Sequence, residues 1–190
     1  MATRVDSPPR SLSRPINWAG PLPSRYLMAG TLHASAEACV VNTVLGSCVA
    51  VTMLHATTGL AAICHAMLPT PRSAADAVPD APDRFKYASM VVPAMFDFFL
   101  QHGIAPHQLE VKLFGGANVL QQPDEPWIGT GVGQANVLMT RRLLDGAGAH
   151  VHGSDVGGAN GRKILFNTLS GRVLLRYIDS VASRVRAIDR

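Results

Sequence analysis

Cysteine is scarce in this chain: three residues, Cys39, Cys48 and Cys64, with no Cys-x-x-Cys spacing among them. A small, odd number argues against a disulfide framework and fits reduced thiols, so a cytoplasmic location is expected. Paired-cysteine zinc sites are excluded by the same spacing. Cys48, Cys64 and His65 form the one grouping with ligand chemistry, and no metal is expected. Long apolar runs are missing too. None reaches the ~18 residues of a membrane-spanning helix, so the chain is not expected to be membrane-embedded. Asp6, Pro8, Pro9 and Arg10 stand where a secretory signal would carry its apolar stretch. Charge is modest, at 16% of residues and a net +4. Part of the excess lies near the ends, on Arg4, Arg10, Arg14, Arg184, Arg186 and Arg190. No basic stripe with interleaved aromatics exists, which argues against a nucleic-acid partner. Gly129, Gly131 and Gly133 lack the Gly-Lys-Ser/Thr of a phosphate loop, and no cofactor is expected. No internal repeat is visible.

What the chain does have is a core. Apolar residues make up 47% of 190 positions, enough for one domain. Residues 1–24 hold Pro8, Pro9, Pro15, Pro21 and Pro23 among serines and arginines and read as a flexible leader. Residues 25–180 read as the folded domain and 181–190 as a tail. Within the domain, Tyr26 to His33 is strand-like, and 39–44 is a second β-rich run. Val49, Val51 and Met53 mark a third strand. A turn over His55 to Gly59 joins it as a hairpin to a fourth, Leu60 to Met67. The proline-bearing stretch Pro69 to Arg84 reads as a long loop. Lys86 to Gln101 carries a helical stripe, with Pro93 inside it and Gly103 as its stop. Leu109 to Leu113 forms a strand ending at Gly115-Gly116. Gln134 to Leu144 is a second helix, with Val137, Leu138, Arg141 and Leu144 at helical spacing. A short strand (Ala149 to His152), a turn over Asp155 to Gly161, and a hairpin (Lys163 to Asn167, Arg172 to Ile178) complete the domain. Roughly nine strands cluster around two helices. The fold class is therefore α+β: packed mixed or antiparallel sheets, sandwich-like, flanked by helices.

The chemistry centres on Val44-Leu45-Gly46-Ser47-Cys48-Val49. A Gly-Ser turn presents Cys48, and seventeen positions later His65 interrupts an apolar run. On neighbouring strands the two fall near the same end of the hairpin. A thiol beside an imidazole is the simplest pairing for attack on an acyl group, with the imidazole drawing off the thiol proton and lowering its pKa. Backbone N–H groups at Ser47 and Cys48 could hold the oxyanion. Thr43 and Asn42 are both placed to orient the imidazole. Cys39 and Cys64 read as buried structural thiols, Cys64 on the opposite strand face from His65. Asn160 and Arg162, flanking a turn at Asp155-Val156-Gly157-Gly158, could line a site rim.

The ordered motifs resemble those of the CheD family, the chemoreceptor glutamine deamidases of bacterial and archaeal chemotaxis. They are Thr43 to Val51, His65-Ala66-Met67-Leu68-Pro69, Lys86-Tyr87-Ala88, Lys112 to Ala117, Gly129 through Asn136-Val137, and Asp155-Val156-Gly157-Gly158 with Arg162. The resemblance runs from about Tyr26 to Ile178. It implies a fold similar to the deamidating-toxin cysteine hydrolases. It also implies hydrolysis of receptor glutamine side chains to glutamate and ammonia, with Cys48 as nucleophile and His65 as general base. Thr43 matches the family's third residue, with Asn42 as competitor. The implied partners are the cytoplasmic helices of methyl-accepting chemoreceptors and a CheC-type phosphatase. A non-catalytic chemotaxis adaptor is the alternative reading, and a cysteine peptidase or amidase with another substrate is a third.

Overall fold

The computed structural model describes residues 21–73, 77–78, 81, 83–118, 131–178 and 185–188. Two five-stranded sheets stack face to face. The first has the order β1 (Ser24–Tyr26), β3 (Val40–Leu45), β8 (Gly161–Asn167), β9 (Val173–Ile178), β10 (Val185–Ile188). The second has the order β2 (Leu32–Ser35), β5 (Leu60–Cys64), β4 (Val49–His55), β6 (Glu110–Gly115), β7 (Val151–Val156). Helices α1 (Ala88–Leu100) and α2 (Val132–Gly146) cover the outer face of the second sheet. The pairings β1–β3 and β6–β7 are parallel and the rest antiparallel. The α+β, sandwich-like reading is thus the observed architecture.

The layering accounts for the sequence pattern. Strands β4 and β5 lie between the helices and the first sheet, so nearly every residue in them is buried and they read as continuous apolar runs. Val49, Val51, Met53, Ala62 and Cys64 face the helices, while Ala50, Leu54, Ala61 and Ile63 face the first sheet. Strand β8 has one open face and alternates, with Ile164 and Phe166 in the inter-sheet core.

Several boundaries differ from the sequence reading. The run Tyr26 to His33 is two strands in different sheets. Gly30, at φ 76°, turns the chain between them. The first helix begins at Ala88, because Tyr87 is extended (φ −102°, ψ 127°) and separates it from a 3₁₀ turn over Arg84–Lys86. Strand β7 runs to Val156, so Asp155 and Val156 are in the strand and the turn is made by Gly157 and Gly158 (φ 75° and 70°). Val185–Ile188, in the segment expected to be tail, is an edge strand antiparallel to β9. The Ile188 carbonyl accepts from Lys112 Nζ at 3.2 Å. That ammonium, fully buried, also meets Gly171 O at 2.8 Å and Glu110 Oε1 at 2.9 Å. Ten strands are therefore present among the described residues, one more than expected. The leader lies outside the described residues up to position 20, and parts of the loop after Pro69 do also.

The second helix departs most instructively. Its buried face carries Gly133, Asn136, Thr140 and Leu144, whereas Leu138 is exposed. A Cβ on Gly133 would come within 2.6 Å of Gly116 O and 2.7 Å of Ala117 O. That backbone contact sets the helix rotation and turns polar Asn136 inward, against the apolar periodicity.

Candidate active site

The ladder between β4 and β5 continues past the end of β5. Val49 and Ala66 exchange N–H···O bonds of 2.9 and 2.8 Å. In this register His65 lies opposite Ala50 and Cys48 opposite Met67. Cys48 and His65 are therefore diagonal neighbours on one face, the face turned to the first sheet. Cys64, one residue earlier, points to the helices and is fully buried. The three possible ligands Cys48, Cys64 and His65 thus do not converge.

Across the inter-sheet gap stands Thr43, between Val41 and Leu45 on the inward face of β3. Its Oγ1 lies 2.7 Å from His65 Nδ1 and 2.9 Å from Leu27 O. A carbonyl can only accept, so the single hydroxyl proton goes to Leu27 O. Nδ1–H then donates to Oγ1, which fixes the tautomer and leaves the lone pair on Nε2. That Nε2 is buried and has no hydrogen-bond partner among the described residues. The backbone of His65 is pinned as well: its N–H donates to Thr31 O at 3.0 Å and its carbonyl accepts from Gly30 N–H at 2.8 Å. Asn42, the competitor for the third position, faces the other way and donates to Arg25 O and Ser24 Oγ.

Of the three cysteines, only Cys48 reaches solvent. Burial raises its thiol pKa above the ordinary value, opposed by its own backbone N–H. Burial also pulls His65 down to about 4. The resting pair is thus neutral thiol and neutral imidazole. The expected lowering of the Cys48 pKa is not found, because desolvation disfavours both charged forms. Cys64, sealed in the core, is pushed up to about 12.

The turn before Cys48 is held by the two residues just past the end of β6. Gly116 N–H donates to Cys48 O at 2.7 Å and Ala117 N–H to Gly46 O at 2.9 Å. Among the described residues, neither Ser47 nor Cys48 N–H donates to a backbone carbonyl. A cleft of about 490 Å³ adjoins this end of the sandwich, lined by Asp155, Gly157, Asn160, Arg162 and Tyr177 among others. Gly158 O accepts from Asn118 N–H and Gly115 O from Gly157 N–H, tying the cleft wall to the turn. Arg162 lines this cleft, but its guanidinium is buried and committed within the wall. It donates to Asp155 Oδ1 (2.6 Å), Gly157 O (2.6 Å) and Asn160 O (3.2 Å). Tyr177 OH completes the network on Asp155 Oδ2 at 2.6 Å.

Sequence reasoning gave Asn136 no role. It is fully buried and its Nδ2 donates to Ser47 O and Met67 O, both at 2.9 Å. Two polar residues a helical turn apart, Asn136 and Thr140, on a buried face were the available signal.

Residues 67–177 match the family described as CheD chemotactic sensory transduction. That span begins just after His65. Whole-chain relatives extend further. A Geobacter sulfurreducens protein, "Probable chemoreceptor glutamine deamidase CheD 2", is 42% identical over 160 residues, covering 83% of this chain and 92% of its own. Proteins named "Probable chemoreceptor glutamine deamidase CheD" from Oleidesulfovibrio alaskensis and Maridesulfovibrio salexigens are each 34% identical. They cover 86% and 81% of this chain, and 77% and 91% of their own. The chain belongs to the CheD family of chemotactic sensory transduction proteins.

Proposed function

We propose that this protein deamidates glutamine side chains of chemoreceptors, with Cys48 as nucleophile, His65 as general base and Thr43 as the group that fixes the base. The observation that carries the reading is the Thr43 Oγ1–His65 Nδ1 contact at 2.7 Å. It leaves an unpartnered Nε2 on the strand face it shares with Cys48.

The chemistry starts from neutral partners. As Sγ attacks the carboxamide carbon, the thiol proton passes to Nε2 and the carbonyl electrons move onto oxygen. Backbone N–H groups of Ser47 and Cys48 receive the oxyanion. The tetrahedral adduct collapses, the C–N bond breaks, and the imidazolium gives its proton to the departing nitrogen, which leaves as ammonia. A pKa near 4 for His65 makes that imidazolium a ready acid. Water then attacks the thioester, loses a proton to Nε2, and the sulfur leaves and is reprotonated. The products are glutamate and free thiol. Thr43 compensates the transient charge through its oxygen and stays out of contact with substrate. Each event adds a negative charge to a receptor helix, a local electrostatic change able to bias signalling.

This reading makes cytoplasmic receptor helices the substrate, with the protein in the cytoplasm and a CheC-type phosphatase as a further partner. No described helix is long and apolar enough to cross a membrane. The test is incubation of the full chain with its cognate receptor fragment under reducing conditions, and then peptide mass spectrometry. A gain of about 1 Da at defined glutamines, the signature of amide-to-acid conversion, is expected from wild type and absent from Cys48→Ala and His65→Ala. No gain with wild type, or an undiminished gain with Cys48→Ala, refutes the assignment.

A further inference from the structure

We infer that Asn136 is a positioning residue that holds Cys48 in register with His65. The inference rests on the proposed Cys48–His65 pair and adds the part that sets their alignment.

The backbone ladder between the two segments ends at Val49 and Ala66. The next opposed residues are Cys48 and Met67, and Met67 N–H turns away to Lys86 O at 2.8 Å. Where the next bonded pair would stand, Leu68 N–H also goes to Lys86 O, so among the described residues no backbone bond joins the two segments beyond Val49 and Ala66. Asn136 supplies the tie. Its amide nitrogen donates one proton to Ser47 O, just before the thiol, and the other to Met67 O, two residues after the imidazole. Only the nitrogen end can serve two carbonyls, so the partners determine the orientation of the amide.

The clamp has a firm base. Gly133, one turn earlier on α2, abuts the backbone of Gly116 and Ala117, whose N–H groups hold Cys48 O and Gly46 O. Helix, turn and thiol therefore move together. A cost accompanies the arrangement: Asn136 Oδ1 is buried with no partner among the described residues. Unmet buried acceptors are destabilising. A small apolar residue would remove that orphan, but it would deprive Ser47 O and Met67 O of their Asn136 donor and leave the two segments untied. Misalignment of reacting groups by about 1 Å can cost roughly 100-fold in rate, so the tie matters for chemistry.

The experiment is a cycle on the full-length protein, read as the iodoacetamide alkylation rate of Cys48 at neutral pH by peptide mass spectrometry. The variants are Asn136→Ala, His65→Ala and the double substitution, each first checked for cooperative thermal unfolding. With His65 present, Asn136→Ala is expected to slow alkylation about 10-fold or more. In the His65→Ala background it should change the rate less than about 2-fold, because no alignment remains to lose. Equal slowing in both backgrounds, or none in either, overturns the positioning role and leaves the pair standing. If His65→Ala by itself leaves Cys48 reactivity unchanged, the pair fails and the inference with it. Asn136→Ser keeps one donor and guards against a misfolded alanine variant. It is expected to give an intermediate loss that again vanishes without His65, and a loss that persists counts against the proposal.

Discussion

Replacing Thr43 by valine tests the catalytic geometry most sharply, because the exchange keeps shape and removes one oxygen. Thr43 is wholly buried, and its hydroxyl serves Leu27 O as donor and His65 Nδ1–H as acceptor. Valine leaves both without their partner. An orphaned buried group costs about 1–3 kcal/mol, so with two of them the fold should lose roughly 2–6 kcal/mol. The catalytic effect is separate. The bond to Oγ1 is what favours the proton on Nδ1, and a preference of about 1.4 kcal/mol is a tenfold population. Losing it moves the proton to Nε2 in much of the population and removes the lone pair of that nitrogen, on the strand face shared with Cys48. The imidazole also becomes freer to rotate. Together kcat should fall about 100-fold, within the span attributed to a positioned base. KM should hold, since Thr43 does not meet substrate. Thr43→Ser, which restores the oxygen, should recover most of the activity. Receptor-peptide deamidation gives kcat and KM, and imidazole ¹⁵N shifts report the tautomer. Retention of the Nδ1–H tautomer and of wild-type kcat in Thr43→Val would refute the argument. A Thr43→Ser variant no better than valine would do the same.

Acid should weaken the fold through His65. Its pKa in the folded protein is about 4, below the ordinary 6.5, so between these values the unfolded chain binds the extra proton. The contribution is complete above about pH 6.5 and is lost as pH falls towards 4, on the order of 3 kcal/mol in all. Urea unfolding at about pH 4.5 and pH 7 should show the difference in wild type and a smaller one in His65→Gln; an equal difference places the acid sensitivity elsewhere. Gly115→Ala should be far more damaging than a typical surface change. Gly115 has φ 103°, and an added Cβ would lie 2.2 Å from Cys48 O. A loss of about 3 kcal/mol or more is expected, with deamidation abolished; thermal unfolding unchanged within a few degrees would show that the contact can relax.

Much of the site was legible because its parts are local. The Gly-Ser turn, the alternation of Val49, Val51 and Met53, and the hairpin at Gly59 place Cys48 and His65 at one end of adjoining strands. The period of a strand then separates His65 from Cys64. Other features depend on contacts distant in sequence. Tyr26 to His33 carries a strand-like pattern throughout, yet it divides between two sheets, because Gly30 turns and its N–H meets the His65 carbonyl. Val185–Ile188 has too little pattern to announce a strand, but the open edge of β9 gives it backbone partners. The α2 stripe misled because the Gly133 contact with Gly116 and Ala117 outranks hydrophobic period in setting the helix rotation.

The sequence by itself determined the α+β class, the placing of Cys48 and His65 at one end of adjoining strands, and the short list of Thr43 and Asn42 as neighbours of the imidazole. Each of these comes from residue type and nearest-neighbour spacing. Only the tertiary structure shows that Thr43, and not Asn42, meets the imidazole, since adjacent residues of a strand face opposite ways and the inward face is known once the second sheet is in place. It alone fixed the tautomer of His65, because Leu27 O claims the hydroxyl proton across the gap. It alone also set the resting protonation, because burial acts on Cys48 and His65 together. Asn136 meets Ser47 and Met67 only when a helix late in the chain packs beside the first hairpin, and no local spacing encodes that contact.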